Sequence, residues 1–379
     1  MRIRVWLVPC VALWACSSSE STGGVGPSSD GGAPEAAAAV ECGDGTYRTA
    51  EGKCEPFPTL TLARSAKTLA PARDHHTTAV IETAAGPYLY VFGGTDDPLV
   101  FNDVQRASIA ADATLGAFEP AGKLPTPRAG HCLVRVKDRF LIAGGIVAGA
   151  GSIKVSTTSL LVTIGADGSV ESASPGPALP AAVMHLSCEV SGEYVYALGG
   201  RGLDNKSTTM SARAHINEDG SLGPFEAQTP LTPDRSHHAS FIRGGRLYVL
   251  GGLTGNPASG PQEHSDAIMT RLGDDGSLGR WEPAGKLPTT LSVTAAQLYK
   301  DAVYILGGLE DGTTFTDRVR RATFEADGTL SAFATLPVNL PAARGHVHQT
   351  PMWKNFVFSV GGRGSDEDSL GSVDVGRFE

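Results

Sequence analysis

The chain is short of basic side chains, with 31 Lys and Arg against 40 Asp and Glu and a formal net charge of −9 over 379 residues. A surface that grips nucleic acid or an anionic bilayer needs clustered Lys and Arg, so neither is expected as a partner. Beyond the first sixteen residues there is no long apolar pattern of period 3.6, which excludes a helical bundle. No apolar run reaches the ~20 residues that a helix needs to cross a bilayer. Also missing are a Ser-His-Asp constellation, a nucleotide-binding glycine loop and a paired-carboxylate motif, so the sequence announces no enzyme class. What the chain has in quantity is Gly (47) and Pro (24), about a fifth of its residues. That balance suits many short strands joined by tight turns, an all-β fold.

One phrase organises the rest. Four apolar residues ending in a glycine pair occur as Leu89-Tyr-Val-Phe-Gly-Gly94, Phe140-Leu-Ile-Ala-Gly-Gly145, Val195-Tyr-Ala-Leu-Gly-Gly200, Leu247-Tyr-Val-Leu-Gly-Gly252, Val303-Tyr-Ile-Leu-Gly-Gly308 and Val357-Phe-Ser-Val-Gly-Gly362. The pairs are separated by 51, 55, 52, 56 and 54 residues, and a period near fifty means a repeat architecture. Each unit reads as four strands. Strand a begins near an Arg-x-x-His, and strand b is the apolar phrase. Strand c is typified by Asp317–Phe324, and the short strand d by Ser277–Glu282. Asp-Gly turns at 167–168, 219–220, 275–276 and 327–328 join c to d, and Asp112-Ala113 takes that place in the first unit. Strand b is apolar on both faces, as a strand buried between neighbouring sheets must be.

These units resemble the Kelch repeat, with its apolar run and Gly-Gly, a following aromatic (Phe118, Phe225, Trp281, Phe333) and a Leu-Pro-x-x-Arg phrase. The third and fifth units depart from it in lacking the Arg, and the fifth also lacks the His. The resemblance covers residues 57–379 and implies a six-bladed Kelch-type β-propeller, four antiparallel strands per blade. Thr59-Leu-Thr-Leu62 reads as a d strand with no blade before it, and Ser372–Phe378 as a c strand with no d after it. The N-terminal strand is therefore expected to complete the last blade.

Ahead of the repeats, Arg2 and Arg4 precede a short apolar run ending in Leu13-Trp-Ala-Cys16. This reads as an export signal over residues 1–15. Its end resembles the bacterial lipobox, which implies cleavage before Cys16 and lipidation of that residue, an anchor rather than a span. Ser17 after the cysteine resembles outer-membrane sorting, at either the periplasmic or the surface face. Residues 16–41 are Ser, Gly, Ala and Pro with few apolar groups, the composition of a disordered tether. Residues 42–56 then hold Cys42 and Cys54 around several glycines, which in an exported protein read as a disulfide clip.

Candidate chemistry sits on the face carrying the long b-to-c loops: 95–103, 146–154, 201–207, 253–264, 309–316 and 363–370. His76, His131, His185, His238 and His346 recur there and are read as structural, bonding to a neighbouring blade; the pairs His75-His76, His237-His238 and His346/His348 keep a metal site as the alternative. Arg73, Arg128, Arg235 and Arg344 are expected to pair between blades with Asp103, Asp266, Asp317 and Asp374. Arg201 and Arg363, outside that pattern, are the candidate ligand-binding residues, suited to an anionic ligand such as a uronic or sialic-type sugar. The acidic loop 364–368 lacks the ordered ligand spacing of a calcium loop. Cys132 and Cys188, on inner strands of adjacent blades, are expected as free buried thiols. No metal, catalytic residue or cofactor is assigned. The expectation is a monomeric, lipid-anchored envelope protein acting as a binding scaffold for a protein or glycan. An exported sugar isomerase or epimerase, a class that Kelch-type propellers include, is the alternative.

Overall fold

Each glycine-pair phrase forms the second strand of a four-stranded antiparallel sheet. The computed structural model describes residues 42–379 apart from 44, 49–51, 150–151, 256–259 and 367. The expected signal segment, the tether and Cys16 lie outside the described residues. Among the described residues there is no helix, and six such sheets follow one another along the chain. The fourth is typical: Ala239–Arg243, Arg246–Leu250, Asp266–Arg271 and Glu282–Lys286 pair in that order. Its last strand begins where the sequence reading ended it. Ser277 is held instead in the turn, its amide bonded to Asp275 Oδ1 at 2.9 Å.

The second strand explains why its alternate residues are all apolar. Tyr248 and Leu250 pack with Val303 and Ile305 of the fifth sheet, while Leu247 and Val249 pack with Tyr196 and Leu198 of the third. Every one of these side chains is buried, which stabilises the stack by about 1.5–3 kcal/mol for each. Tyrosines in this strand also reach the next sheet's turn. Tyr90, Tyr196 and Tyr248 donate their hydroxyls to the carbonyls of Gly168, Gly276 and Gly328 at 2.6, 2.9 and 2.7 Å.

The glycine pairs join sheet to sheet. The second glycine's amide donates to the next sheet's backbone carbonyl: Gly94 to Arg128, Gly145 to Val183, Gly200 to Arg235, Gly252 to Leu291, Gly308 to Arg344 and Gly362 to Arg73. The first glycine has φ near +60° and leaves no room for a side chain; a Cβ on Gly251 would stand 2.1 Å from the Leu291 carbonyl oxygen.

The four repeated arginines are buried, and their pairing differs from expectation. Arg73–Asp103, Arg235–Asp266 and Arg344–Asp374 are bonded within one sheet, not between neighbours. In the second sheet Arg128 bonds Thr158 instead. Each arginine also donates Nη1 to the carbonyl of the first glycine of its own pair, at Gly93, Gly144, Gly251 or Gly361. The guanidinium thus ties the start of strand a to the end of strand b, a job confined to one sheet.

Leu60–Arg64 pairs antiparallel with Val373–Phe378, so the first long strand of the described chain lies beside the last. Before it, Thr46–Arg48 pairs with Cys54–Pro56 and the Cys42–Cys54 disulfide closes that hairpin. Cys132 and Cys188 are also disulfide-bonded, with Cα atoms 5.6 Å apart, which corrects the expectation of free thiols. Inner strands do diverge along their length, but these cysteines lie where the strands start. There His185 N still donates to Gly130 O at 2.8 Å, holding the two backbones together.

Candidate functional site

The first strands of the sheets surround a channel of about 470 Å³. One residue just before each inner strand has a left-handed backbone: His75, Gly130, His185, His237, Val293 and His346, with φ of 50–60°. Histidine tolerates that region better than most side chains, which fits four of the six being His. Their backbones form a necklace. Gly130 N donates to His75 O, His185 N to Gly130 O, His237 N to His185 O, Val293 N to His237 O and His75 N to His346 O, at 2.8–3.3 Å.

The recurring histidines therefore divide into two sets, which a single-register reading of the sequence merges. His76, His131 and His238 sit one residue further on. His131 Nε2 bonds Thr77 Oγ1 and His238 Nε2 bonds Ser187 Oγ, each 2.8 Å away on the neighbouring sheet. These two have the expected structural role. His185 and His346 instead belong with His75 and His237 at the left-handed positions, and their rings converge. Ring centroids are 4.1 Å apart for His75 and His346, 3.8 Å for His185 and His237, and 4.8 Å for His75 and His185. Burial pushes the pKa values of His185, His237 and His346 well below the usual imidazole value, and the neighbouring positive charges push the same way.

Both candidate arginines stand beside this cluster, and both occupy the position after the glycine pair, three sheets apart. Arg363 Nε donates to Asp74 Oδ2 at 2.7 Å, and the other Asp74 oxygen bonds His75 Nδ1. Burial opposes ionisation of Asp74. The His75 hydrogen bond and the His75 and Arg363 charges outweigh it and hold this carboxyl below the usual range. Arg201 pairs its backbone with Met184 and Ser207, and its charge acts on His185 and His237. Its buried Nε has no bonding partner among the described residues. The structure thus brings Arg201 and Arg363 to one histidine-lined mouth, although Arg363 is already paired.

Further along the channel the wall is mixed, and among the described residues it is neither wholly apolar nor lined with carboxylate–arginine pairs. Glu189, Ser240, Gln297 and Gln349 face it among apolar side chains. Burial pushes the Glu189 carboxyl up to about 7, partly countered by Ser240 Oγ, which donates to it at 2.7 Å. Gln349 spans three sheets, accepting from Thr78 N and donating to Leu133 O.

No protein-family model matches the chain. Kelch-like protein terF of Aspergillus terreus is 24% identical over 302 residues, which is 76% of this chain and 61% of that protein. Kelch-like protein 38 of Rattus norvegicus is 29% identical over 153 residues, 38% of this chain and 22% of that protein. The matched stretches thus span about a fifth of one relative and three-fifths of the other. The solved structure of YjhT superposes with a TM-score of 0.62 at 12% identity, over 81% of this chain and 95% of its own. The fold is a Kelch-type propeller.

On this propeller the exposed large apolar side chains among the described residues are Leu99, Ile153 and Leu203, at 59, 48 and 56% exposure. They lie in three consecutive loops, 95–103, 146–154 and 201–207, at the same repeat position. Sequence reasoning found the loops but not these three side chains, since single apolar residues in polar loops carry no periodic signal. It likewise missed Glu189, whose neighbours along the chain are unremarkable; only the fold encloses it.

Proposed function

We propose that the chain is an interaction scaffold whose partner docks on the long-loop face of a six-bladed propeller closed by its N-terminal strand. The observation that carries the reading is the set Leu99, Ile153 and Leu203, exposed apolar side chains on successive b-to-c connections of a rigid frame. The closed ring is supported by the Gly362 N to Arg73 O bond and by the pairing of Leu60–Arg64 with Val373–Phe378. The partner is a protein, with a glycan as the other ligand class, and the propeller itself is monomeric. The sequence of residues 1–41 supports export, lipidation at Cys16 and a tether that presents the propeller at the envelope, in the outer membrane. The alternative, an exported sugar isomerase or epimerase, draws on the channel and on Glu189, a carboxyl poised near neutrality.

The test places a photo-crosslinking residue at position 99, 153 or 203 of the full chain, with position 219 or 275 on the Asp-Gly turns as controls. Crosslinks to one envelope protein from the loop positions alone are expected. Equal labelling from both faces, or none from either, overturns docking on the loops. Detergent-phase partitioning that persists in Cys16→Ala overturns the lipid anchor.

A further inference from the structure

We infer that His75, His237 and His346 form a binding site for a divalent transition-metal ion of the zinc class at the mouth of the channel. One ring nitrogen from each histidine lies within 4.8 Å of those of the other two. Tetrahedral zinc with nitrogen ligands at about 2.0–2.1 Å requires ligand nitrogens roughly 3.3 Å apart. The three nitrogens thus stand within about 1.5 Å of the separation that a tetrahedral ion requires.

Three further observations point to a ligand set, not to packing alone. The first is outer-shell support. Asp74 Oδ1 bonds His75 Nδ1, and Ser236 Oγ bonds His237 Nδ1 at 2.9 Å. Each bond fixes a ring and leaves its Nε2 as the free nitrogen, the arrangement that orients metal-binding imidazoles. The second is an unmet need: His346 Nδ1 is buried with no hydrogen-bond partner among the described residues. An unpaired buried nitrogen is costly, and coordination removes that cost. The third is position. The three rings come from the first, fourth and sixth sheets, and the bonded necklace fixes all three backbones before any ion arrives.

The donor set selects the metal. Three imidazoles suit Zn²⁺, Co²⁺, Ni²⁺ or Cu²⁺ and exclude Ca²⁺ and Mg²⁺, which need oxygen ligands. Three protein ligands leave a fourth position for water or an exogenous group. The histidines that do bond neighbouring sheets, His131 and His238, lie outside this set, so a structural task at one repeat position does not account for the other.

The experiment uses the full chain without a histidine tag, stripped with chelator, then titrated with Zn²⁺ against a chromophoric competitor and separately with Co²⁺. About one ion per chain is expected, with Co²⁺ giving the intense visible bands of a low-coordinate nitrogen site. His75→Asn, His237→Asn and His346→Asn, chosen because Asn also tolerates the left-handed backbone, should each abolish those bands. Ser236→Ala should weaken Zn²⁺ binding about 10–100-fold while leaving the fold intact by circular dichroism. His215→Asn, an exposed histidine away from the mouth, should bind as the parent does. Failure of the parent chain to bind, or unchanged binding in the three Asn variants, overturns the site. So does a Ser236→Ala variant that binds as tightly as the parent.

Discussion

Arg363 and Asp74, 289 residues apart in the chain, are joined by a 2.7 Å hydrogen bond between Nε and Oδ2. Asp74 has no exposed surface, and its other oxygen is taken by His75. Arg363→Ala leaves a buried carboxylate with one partner fewer and should destabilise the protein by about 3 kcal/mol. Arg201→Ala, at the equivalent position three sheets away, breaks no ion pair among the described residues and should cost under about 1 kcal/mol. Urea unfolding of the two variants tests the contrast, and equal losses would refute it.

Arg344 and Asp374 are each fully buried and bonded at 2.5 Å, and Arg344 also donates to the carbonyl of Gly361. Removing the arginine strands a carboxylate that then keeps, among the described residues, only Arg64 as an ionic partner. Arg344→Ala should cost about 3–5 kcal/mol. Arg344→Met, which refills the volume but not the bonds, should recover little of it. A loss below about 1 kcal/mol in chemical denaturation would show that the pair does not hold the sheet.

Strand b and its glycine pair were legible in the sequence because both faces of that strand are buried and the next sheet's backbone allows no Cβ. The repeat therefore prints itself in residue type six times. The arginines were legible as a set but not as partners, since equal spacing in every unit fits pairing within a sheet as well as between sheets. The histidine sets differ by one residue, and a one-residue offset is invisible until the left-handed position of each unit is known. At that position Gly130 and Val293 stand in for His, so no shared letter marks the site. The Cys132–Cys188 bond was missed because divergence of inner strands was applied at the one end where the backbones are still hydrogen-bonded.

That bond closes a loop of 56 residues, against 12 for Cys42–Cys54. Cross-linking limits the unfolded chain more as the loop lengthens, so Cys132→Ala with Cys188→Ala should cost about 4 kcal/mol and Cys42→Ala with Cys54→Ala about 3. The readouts should differ further. Loss of the first bond should lower the midpoint of the main unfolding transition. Loss of the second should chiefly raise protease sensitivity near residues 46–56, where the paired strands are only three residues long. Equal effects on the main transition would show that the hairpin unfolds together with the sheets.

Glu189 makes a pH prediction with a definite sign. Burial raises its folded-state pKa to about 7, whereas an unfolded glutamate titrates near about 4.3. Between those values the folded protein binds a proton that the unfolded chain does not. The stabilisation from that proton is therefore complete below the unfolded pKa and is lost as pH rises through 7. Glu189 is only partly buried, so solvent screens part of the effect and a loss of about 2 kcal/mol between pH 5 and pH 8 is expected. Glu189→Gln retains a group that can accept from Ser240 but cannot ionise, so its unfolding midpoint should lose this slope and exceed that of the parent at pH 8. A variant whose pH profile parallels the parent's would mean that Glu189 is ionised in the folded channel at pH 7. The wall would then hold a fixed negative charge, and the isomerase alternative would lose its proton carrier.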